Sequence, residues 1–554
     1  MMENKSTVAE LIVECLENEG VEYVFGIPGE ENIGLVRALA ASEKIRFILV
    51  RHEQGASFMA DMYGRLTGKA GVCIATLGPG AINLLLGTAD AQTDSSPLVA
   101  ISAQVGLNRI YKESHQIVDL LAMFKPVTKW ADMILTPAAV PEMLRQAFAV
   151  AQAERPGATY LAVPQDIEGA PAPAGLKPLR VATGTKSEPS ATAVRQAAAL
   201  LRKARGLVMM AGHGVARSGA AAALTHFAQR YRIPVATTFM GKGVISDEDP
   251  LALGVIGFMQ HDYENFAFDE ADVILSVGYE LQEFDPVRIN PTGDKIIIHI
   301  NTFAADVDAH FDAQVALIED IKLALQALER ELGATPLRTL AGTAKIRGLL
   351  QDEIQAARQD NSFPLKPQRI VADIRAALGP QDIVLADTGA IKMWMARLYP
   401  THRPFGCVVS NGLSTMSFAL PGALGAHLAC PEHNVLAVMG DGSFLMNSQE
   451  IETAVRENIP LKILVWVDES YGLIKWKMDI ELGNHASVDF TNPDFVRYAE
   501  SFGAQGYYVQ AAQDLLPILE QALQEPGVSV IACPVDYSEN MKLTEKLGEL
   551  TVVL

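Results

Sequence analysis

Short runs rich in Val, Ile and Leu recur along the chain, and each run ends in Gly, Pro, Asp or Ser before a helical pattern begins. Such runs are typical of strands that are buried on both faces of a parallel sheet and joined by crossover helices. They fall into three groups. The first group is 22–26, 46–51, 71–76, 98–102 and 159–164; the second is 207–211, 235–239, 272–277, 295–300 and 315–318; the third is 383–386, 407–410, 435–439, 462–467 and 528–534.

Two stretches between these groups have the composition of linkers. Residues 168–193 contain the sequences APAPAG and TGTKSEPSATA, and residues 333–367 are polar and charged. The pattern therefore predicts an α/β protein with three doubly wound parallel-sheet domains, at 1–170, 190–335 and 365–554. Because open sheets of this kind bind ligands beyond the carboxyl ends of their strands, functional motifs should follow strands directly.

Composition narrows the classes of partner. The 554 residues carry 45 basic and 65 acidic side chains and a formal charge of −20 at pH 7, which disfavours nucleic acid and anionic membranes as partners. The 5 cysteines are widely spaced and form no C-x-x-C pair, so we interpret them as reduced core thiols. Neither a signal peptide nor an apolar run of about eighteen residues is evident. We expect a soluble, cytoplasmic protein.

A glycine-rich turn in the third group carries the first candidate chemistry. The sequence GDGS at 440–443 follows a predicted strand and precedes a helix predicted to open near Ser448. Glycines there let backbone N–H groups approach an anion, and a helix N-terminus adds positive potential. Asp441 and Asp468, which follow successive predicted strands, could share one Mg²⁺. A strand-to-helix turn without a ligand is the alternative for GDG taken alone.

The GDG sequence followed by Asp468 resembles the thiamin diphosphate motif of the thiamin-dependent decarboxylases and synthases. The resemblance implies that the third domain binds the cofactor diphosphate, with Mg²⁺ held by Asp441, Asp468 and the carbonyl group of Ser470. It implies cofactor contacts in this domain at Gly389, Ala390, Lys392, Gly412, Ser414, Met416, Gly440, Asp441, Gly442, Ser443, Asp468, Ser470, Tyr471, Gly472, Leu473 and Ile474.

The sequence RHEQGA at 51–56 is similar to the segment whose Glu activates the cofactor in this family. A Glu that simply favours a helix N-terminus is the alternative. The resemblance implies that Glu53 hydrogen-bonds the pyrimidine ring and favours its imino tautomer, whose exocyclic nitrogen removes the thiazolium C2 proton. Glu53 is therefore the principal candidate catalytic residue.

Three other segments of the first domain resemble family segments around the cofactor and substrate. FGIPG at 25–29 and TLGPGAIN at 76–83 would wall the pyrimidine and substrate pocket, although each is also an ordinary turn. HQ at 115–116 resembles the loop where acetolactate synthases place a Gln against cofactor and substrate; the alternative is a helix start. The implied cofactor contacts are Ile27, Pro28, Gly29, Glu53, Thr76 and Asn83; Gln116 joins Glu53 as catalytic, and the implied substrate pocket is Glu30, His115, Gln116 and Lys477.

The resemblance is greatest to the acetolactate synthases, especially their catabolic, flavin-independent members. It spans nearly the whole chain, through FGIPG, RHEQ, GRLTGKAGV, LGPG, VGYELQEFDP, SNGLSTM, QEIETAV, YAESFGA and PVDYSEN. Met416 in SNGLSTM coincides with the family residue that wedges between the two cofactor rings, although a Met in such a region is often core.

The second domain and three departures from the family pattern limit the assignment. VGYELQEFDP replaces the Arg-containing segment of the flavin-dependent enzymes, and GHG at 212–214 is a weak nucleotide loop, so FAD is open but not favoured. Glu30 and Glu31 stand where the family has small or basic residues, Lys477 where it has Gln or Trp, and 390–392 where polar residues touch the diphosphate. These departures leave the donor and acceptor open.

The resemblance implies a carboligase that decarboxylates pyruvate and adds the product to a second 2-keto acid, giving 2-acetolactate and CO₂. Glu53 and the diphosphate groups lie on different domains, and the resemblance implies that they come from different subunits, so we expect a homodimer or homotetramer with the active site at the subunit interface. The alternatives are another thiamin-dependent decarboxylase or lyase, and a non-catalytic thiamin-binding paralogue. A nucleotide oxidoreductase is disfavoured because no full dinucleotide fingerprint is present.

Overall fold

The computed structural model describes residues 6–182, 184–257 and 262–540. Residues 1–5 and 541–554, at the outer ends of the predicted first and third domains, lie outside the described residues. The chain forms two compact units. The first comprises residues 1–184, 412–432 and 445–461, and the second comprises 185–411, 433–444 and 462–554, each within the described ranges.

The first unit contains a six-stranded, fully parallel sheet of order β2-β1-β3-β4-β6-β5. Every residue of its central strands β4 and β6 is buried, as the continuous apolar runs predict. The strands are β1 (Tyr23–Gly26), β2 (Arg46–Leu49), β3 (Gly71–Ala75), β4 (Leu98–Gln104), β5 (Trp130–Met133) and β6 (Ala158–Pro164). The helices are α1 (Val8–Asn18), α2 (Ile33–Ala41), α3 (Glu53–Thr67), α4 (Pro79–Thr93), α5 (Leu120–Phe124), α6 (Val140–Gln152) and α7 (Gln165–Glu168).

The second unit begins with a parallel sheet of order β12-β11-β10-β7-β8-β9. Counted from its own first strand, this is the order of dinucleotide-binding folds, and the strand order reverses between β7 and β10. The strands are β7 (Leu207–Ala211), β8 (Val235–Thr237), β9 (Ala252–Val255), β10 (Val273–Val277), β11 (Ile296–Asn301) and β12 (Ala313–Ile318). The helices are α8 (Ala191–Lys203), α9 (His213–Arg217), α10 (Ala221–Tyr231), α11 (Asn265–Glu270), α12 (Ile321–Leu332) and α13 (Ala344–Ala357).

The third sheet, also in the second unit, has the order β14-β13-β15-β16-β18-β17, which repeats the order of the first sheet. The strands are β13 (Ile383–Ala386), β14 (Cys407–Val408), β15 (Val435–Gly440), β16 (Lys462–Val467), β17 (Gln505–Tyr508) and β18 (Ser529–Pro534). The helices that follow α13 are α14 (Pro367–Ala377), α15 (Ala390–Leu398), α16 (Ala419–Ala429), α17 (Asp441–Asn447), α18 (Glu450–Arg456), α19 (Gly472–Leu482), α20 (Phe495–Ser501) and α21 (Leu515–Gln524).

The helices α16 and α18 belong to the first unit although they come from the predicted third domain. Helix α16 packs directly on α3, where a Cβ at Gly425 would lie 2.3 Å from the carbonyl oxygen of Met59. The two helix backbones therefore approach closely because residue 425 lacks a side chain.

The three parallel sheets confirm the predicted fold class, and three details differ from the predicted elements. One edge strand of each sheet was not predicted: β5, β9 and β17. The stretch 333–367 is not only a linker, because Ile346 and Leu350 anchor α13 in the core. A short helix that was not predicted, α17, begins at Asp441 in the GDG turn, and α18 begins at Glu450, close to the helix start predicted near Ser448. The predicted domain bounds stay a prediction.

Candidate active site

Glu53 is the first residue of α3. His52 caps this helix, because its ring nitrogen Nδ1 accepts the N–H of Gln54 at 3.1 Å. The Glu53 side chain is 8% exposed, and its Oε2 accepts a hydrogen bond from the Asn83 amide at 2.9 Å. A Cβ at Gly80 would lie 3.2 Å from its Oε1. The carboxylate is thus held in one place with part of its surface accessible.

Two post-strand turns lie against each other beside this carboxylate. A Cβ at Gly29, in the turn after β1, would lie 2.4 Å from the Cβ of Thr76, in the turn after β3. The Thr76 hydroxyl group donates to Glu31 at 2.7 Å. Ile27 and Pro28 lead into this contact. The predicted cofactor segments of the first sheet therefore meet where its strand order reverses.

The two acidic residues of this turn, Glu30 and Glu31, lie in different environments. Glu31 is half-buried against Thr76, whereas the Glu30 side chain is exposed. Glu31 was not among the predicted site residues. It nonetheless contacts Thr76, which is a predicted cofactor residue.

Gln116 lies next to the turn that precedes Asn83. A Cβ at Gly78 would lie 2.5 Å from the Gln116 carbonyl oxygen, and Gln116 itself has a φ of 56°. His115 and Gln116 are both exposed on a loop. The next helix starts only at Leu120, so the interpretation of this segment as a helix start is wrong.

A buried ionic network anchors the segment from Gly412 to Met416 in the first unit. The N–H of Gly412 donates to Asp94 at 2.5 Å, and the Thr415 hydroxyl group donates to Asp90 at 2.8 Å. Met416 is half-buried, Ser414 is exposed with a φ of 53°, and Gly412 is exposed. The segment is therefore fixed at its base while its other side chains stay accessible.

The same network contains an arginine between three carboxylates. Arg65 pairs with Asp61, Asp90 and Asp94 at 2.9, 3.2 and 2.7 Å, and all four side chains are at most 2% exposed. Burial raises the pKa of Asp61, and Arg65 opposes that rise. Sequence reasoning missed this network, although the spacing of four between Asp61 and Arg65 on a helix was a signal.

The two acidic residues after β15 and β16 meet in the second unit. The Asp441 carboxylate accepts the N–H groups of Asp468 and Glu469 at 3.2 and 2.7 Å and the amide of Asn492 at 2.8 Å. Asp468 accepts the Ser470 hydroxyl group at 2.7 Å. Asn492 was not predicted, because it lies on a loop that is distant in sequence from the motifs of Asp441 and Asp468.

These carboxylates are costly to bury as anions. Burial raises the pKa of Asp441, and burial together with the charge of Asp441 raises the pKa of Asp468 to about 7. Among the described residues no group of three His, Cys, Asp or Glu side chains is placed to hold a metal. Two carboxylates and the Ser470 carbonyl group nonetheless form an all-oxygen donor set of the kind that Mg²⁺ prefers.

The glycines of this site allow close approaches. A Cβ at Gly442 would lie 2.9 Å from the Tyr471 ring, and a Cβ at Gly472 would lie 2.7 Å from the Asp468 carboxylate. Ser443 is buried and donates to the Gly440 carbonyl group at 3.1 Å. Outside this packed centre, the exposed predicted residues are Tyr471, Ile474 and Lys477, whereas Leu473 is half-buried.

The turn before α15 and the start of that helix contain three predicted cofactor residues, of which Lys392 already has a hydrogen-bond partner within the protein. Gly389 has a φ of 144° with open space around its Cα, which suits a backbone that approaches a ligand. Ala390 begins the helix. Lys392 is 6% exposed, and its ammonium group donates to the Ser410 carbonyl group at 2.9 Å.

The side chain of Glu283 occupies the crevice at the carboxyl ends of the central sheet's strands. Glu283 accepts the N–H groups of His213 and Glu280 and the hydroxyl group of Thr238. A Cβ at Gly212 would lie 2.6 Å from this carboxylate. The amide at the start of α9, where a nucleotide phosphate would bind in such a fold, is thus already hydrogen-bonded by a carboxyl group of the protein itself.

Comparisons with known proteins agree with this arrangement. Three family models match in order: "Thiamine pyrophosphate enzyme, N-terminal TPP binding domain" at 6–123, "Thiamine pyrophosphate enzyme, central domain" at 194–328, and "Thiamine pyrophosphate enzyme, C-terminal TPP binding domain" at 387–533. The chain is therefore a thiamin diphosphate-dependent enzyme.

Full-length relatives narrow the class. "Acetolactate synthase" of Bacillus subtilis is 35% identical over 99% of this chain and 97% of its own length. "Probable acetolactate synthase large subunit" of Methanocaldococcus jannaschii is 34% identical over 99% and 95%, and "Acetolactate synthase, catabolic" of Raoultella terrigena is 34% identical over 97% of each. The chain belongs to the acetolactate synthase family, which confirms the resemblance. Its described helices include none that is long and apolar enough to cross a membrane.

Proposed function

We propose that this protein is an acetolactate synthase that decarboxylates pyruvate and joins the two-carbon product to a second 2-keto acid. Full-length similarity to acetolactate synthases carries the proposal. The buried Glu53, hydrogen-bonded by Asn83 beside two glycine-rich turns, supports it. Bound thiamin diphosphate would supply the nucleophilic carbon and the electron sink for decarboxylation.

Each set of residues has a stated task in this proposal. Glu53 holds a proton at the pyrimidine ring nitrogen, and Asn83 orients its carboxyl group. Asp441, Asp468 and the Ser470 carbonyl group would hold Mg²⁺, and the amides of Gly440, Gly442 and Ser443 would bind the diphosphate. Met416, on the anchored segment described above, would support the cofactor rings.

We assign the substrate pocket to four exposed residues that the family resemblance indicates. Gln116 and His115 lie on the loop beside Gly78, Lys477 is exposed on α19, and Glu30 is exposed after the first turn. Lys477 suits the carboxylate of a 2-keto acid and the Gln116 amide suits its carbonyl oxygen, whereas the charge of Glu30 disfavours such an anion nearby. We assign the protein to the cytoplasm, as a homodimer or homotetramer of the catabolic, flavin-independent type.

Product identification tests the proposal. The purified protein is incubated with Mg²⁺, thiamin diphosphate and a panel of 2-keto acids, and products are identified by mass, with Glu53→Gln as the matched control. We expect CO₂ release and 2-acetolactate from pyruvate, which yields acetoin after acid treatment. CO₂ without acetoin would identify a different decarboxylase, and no turnover of any 2-keto acid would identify a non-catalytic paralogue.

A further inference from the structure

Glu450 is a fully buried carboxylate beside the segment that leads into Glu53. It lies on α18 in the first unit, with 0% of its side chain exposed. Its Oε1 accepts the backbone N–H groups of Arg51 at 3.1 Å and His52 at 3.0 Å. Its Oε2 accepts the Thr453 hydroxyl group at 2.6 Å. The two residues directly before Glu53 thus share one acceptor.

The surrounding chain leaves this carboxylate little freedom. A Cβ at Gly55, in the first turn of α3, would lie 2.7 Å from the Glu450 Oε1. Two more contacts hold α18 along β2 and its exit: Arg456 donates to the Leu49 carbonyl group, and Glu457 pairs with Arg46. Helix α18 therefore lies against the whole turn from β2 into α3.

We propose that Glu450 is a positioning residue that sets the start of α3 and thereby the place of the Glu53 carboxyl group. This inference rests on the role of Glu53 in the proposed function. Buried N–H groups need an acceptor, and without one the turn at Arg51 and His52 rearranges. Misplacing a catalytic group by about 1 Å can cost about 10²-fold in rate. Glu450 itself touches no reacting atom.

Glu450 is also close in sequence to Asp441. The stretch 441–450 runs from Asp441, a proposed Mg²⁺ ligand, through α17 to Glu450. One short segment therefore carries both a metal-site carboxylate and the acceptor that holds the turn before Glu53. Burial raises the pKa of Glu450 to about 7, so an uncharged Gln of the same shape is a fair replacement.

Three variants separate positioning from general stability. Glu450→Ala removes the acceptor, and we expect kcat to fall by about 10²-fold while KM for pyruvate changes little. Glu450→Gln keeps one acceptor oxygen and should stay within about threefold of wild type. Asp272→Ala is the matched control, because Asp272 accepts the N–H groups of Arg205 and Gly206 at 3.0 and 2.8 Å in the central sheet. It should lower thermal stability without lowering kcat.

Two further readouts complete the test. In the Glu53→Gln background, Glu450→Ala should cost no further rate, because residues that act through one group are not additive. In the protein without cofactor, amide hydrogen exchange at Arg51 and His52 should quicken in Glu450→Ala and stay slow in Glu450→Gln and Asp272→Ala.

The exchange measurement needs no turnover, so it remains informative if the proposed function fails. Wild type that turns over no 2-keto acid would refute the proposed function alone. A stably folded Glu450→Ala protein with wild-type kcat, unchanged exchange at Arg51 and His52, or a rate loss that multiplies with that of Glu53→Gln would each overturn the positioning role.

Discussion

The Glu53 carboxylate lies at a helix start, where acidic residues are common, but it also accepts a hydrogen bond that fixes its orientation, from the Asn83 amide. Glu53→Gln keeps the side-chain volume and an oxygen that can accept the Asn83 amide. Because an amide cannot exchange a proton as a carboxyl group does, we expect the rate to fall by more than about 10²-fold with the fold intact. Steady-state kinetics and circular dichroism of the variant measure both effects. Near-normal turnover would exclude this role for Glu53.

Glu168 offers a residue-scale test of electrostatics away from the proposed site. It is buried, accepts the N–H of Leu35 at 2.8 Å, and burial raises its pKa from 4.5 to about 7. The folded protein therefore binds an extra proton between these values, and the free energy of unfolding should fall as pH rises through that window. In Glu168→Gln this component disappears.

Thermal midpoints measured from about pH 5 to about pH 8 check the sign of this effect. Wild type should lose more stability over that range than Glu168→Gln does. Glu142→Gln, at an exposed position on α6, serves as the control and should follow wild type. Parallel curves for wild type and Glu168→Gln would contradict the assignment.

Sequence reasoning at the residue scale reached the side chains that belong to short motifs. Glu53 and Asp441 stand inside such motifs and could be named without a structure. Their partners could not be named in this way. Asn492, which donates to Asp441, and Asp94, which accepts from Gly412, are distant in sequence and reach these residues only through tertiary packing. Lys392 shows the same limit, because its ammonium group lies on the Ser410 carbonyl group.

At the scale of elements, two strand ends bring the Mg²⁺ carboxylates together. In Asp441→Asn the N–H₂ group faces an N–H donor in either orientation, that of Gly442 or those of Asp468 and Glu469, so we expect the Mg²⁺ requirement to rise by about 10²-fold. Asp468→Asn keeps an oxygen ligand and should cost less than about tenfold. Activity titrated with Mg²⁺ after chelation measures both, and Asp489→Asn, an exposed change, is the control. Equal effects of the Asp441 and Asp468 variants would argue against this geometry.

The central sheet has the strand order of a dinucleotide-binding fold, yet Glu283 covers its crevice. Burial, together with the charge of the adjacent Glu280, raises the pKa of Glu283 to about 8. A flavin diphosphate would need to displace this side chain from the His213 amide. We therefore expect the purified protein to show no visible flavin absorption and to keep full activity without added FAD. Flavin bound in stoichiometric amount would contradict this.

The continuous apolar strands were predictable because burial on both faces leaves an unmistakable run of β-branched residues. The edge strands β5 and β17 escaped prediction because none of their residues is buried, so neither strand forms a continuous apolar run. Helix α13 escaped because only a few of its residues reach the core, so its composition resembles a linker. Edges depend on pairing with a neighbour, which a local pattern does not record.

At the scale of the whole molecule, both units expose apolar side chains near predicted site residues. In the first unit, Ile82 and Leu86 of α4 are each 38% exposed; in the second, Ile474 and Leu482 of α19 are 46% and 69% exposed. Exposed apolar groups at such places are typical of surfaces that a partner covers. They support the proposal that two copies of the chain complete each active site.

Mixing two variants tests this assembly, in an assay at an Mg²⁺ concentration that supports wild type but leaves Asp441→Asn inactive. If Glu53 of one copy works with Asp441 of the other, a dimer of Glu53→Gln and Asp441→Asn chains contains one intact and one doubly altered site. Random co-assembly from equal amounts makes half of the dimers mixed, so activity should recover to about a quarter of wild type. Co-expression with two affinity tags isolates the mixed dimer, which should show about half.

The control for this experiment is the mixture of each variant with itself, which should stay inactive. Sedimentation should find the active species as a dimer or larger, and Leu86→Glu should weaken assembly and activity together. Val307→Glu, at a fully exposed position in the second unit, should change neither. Mixed dimers without recovered activity would place Glu53 and Asp441 in one chain's site, and an active monomer would remove the need for a partner altogether.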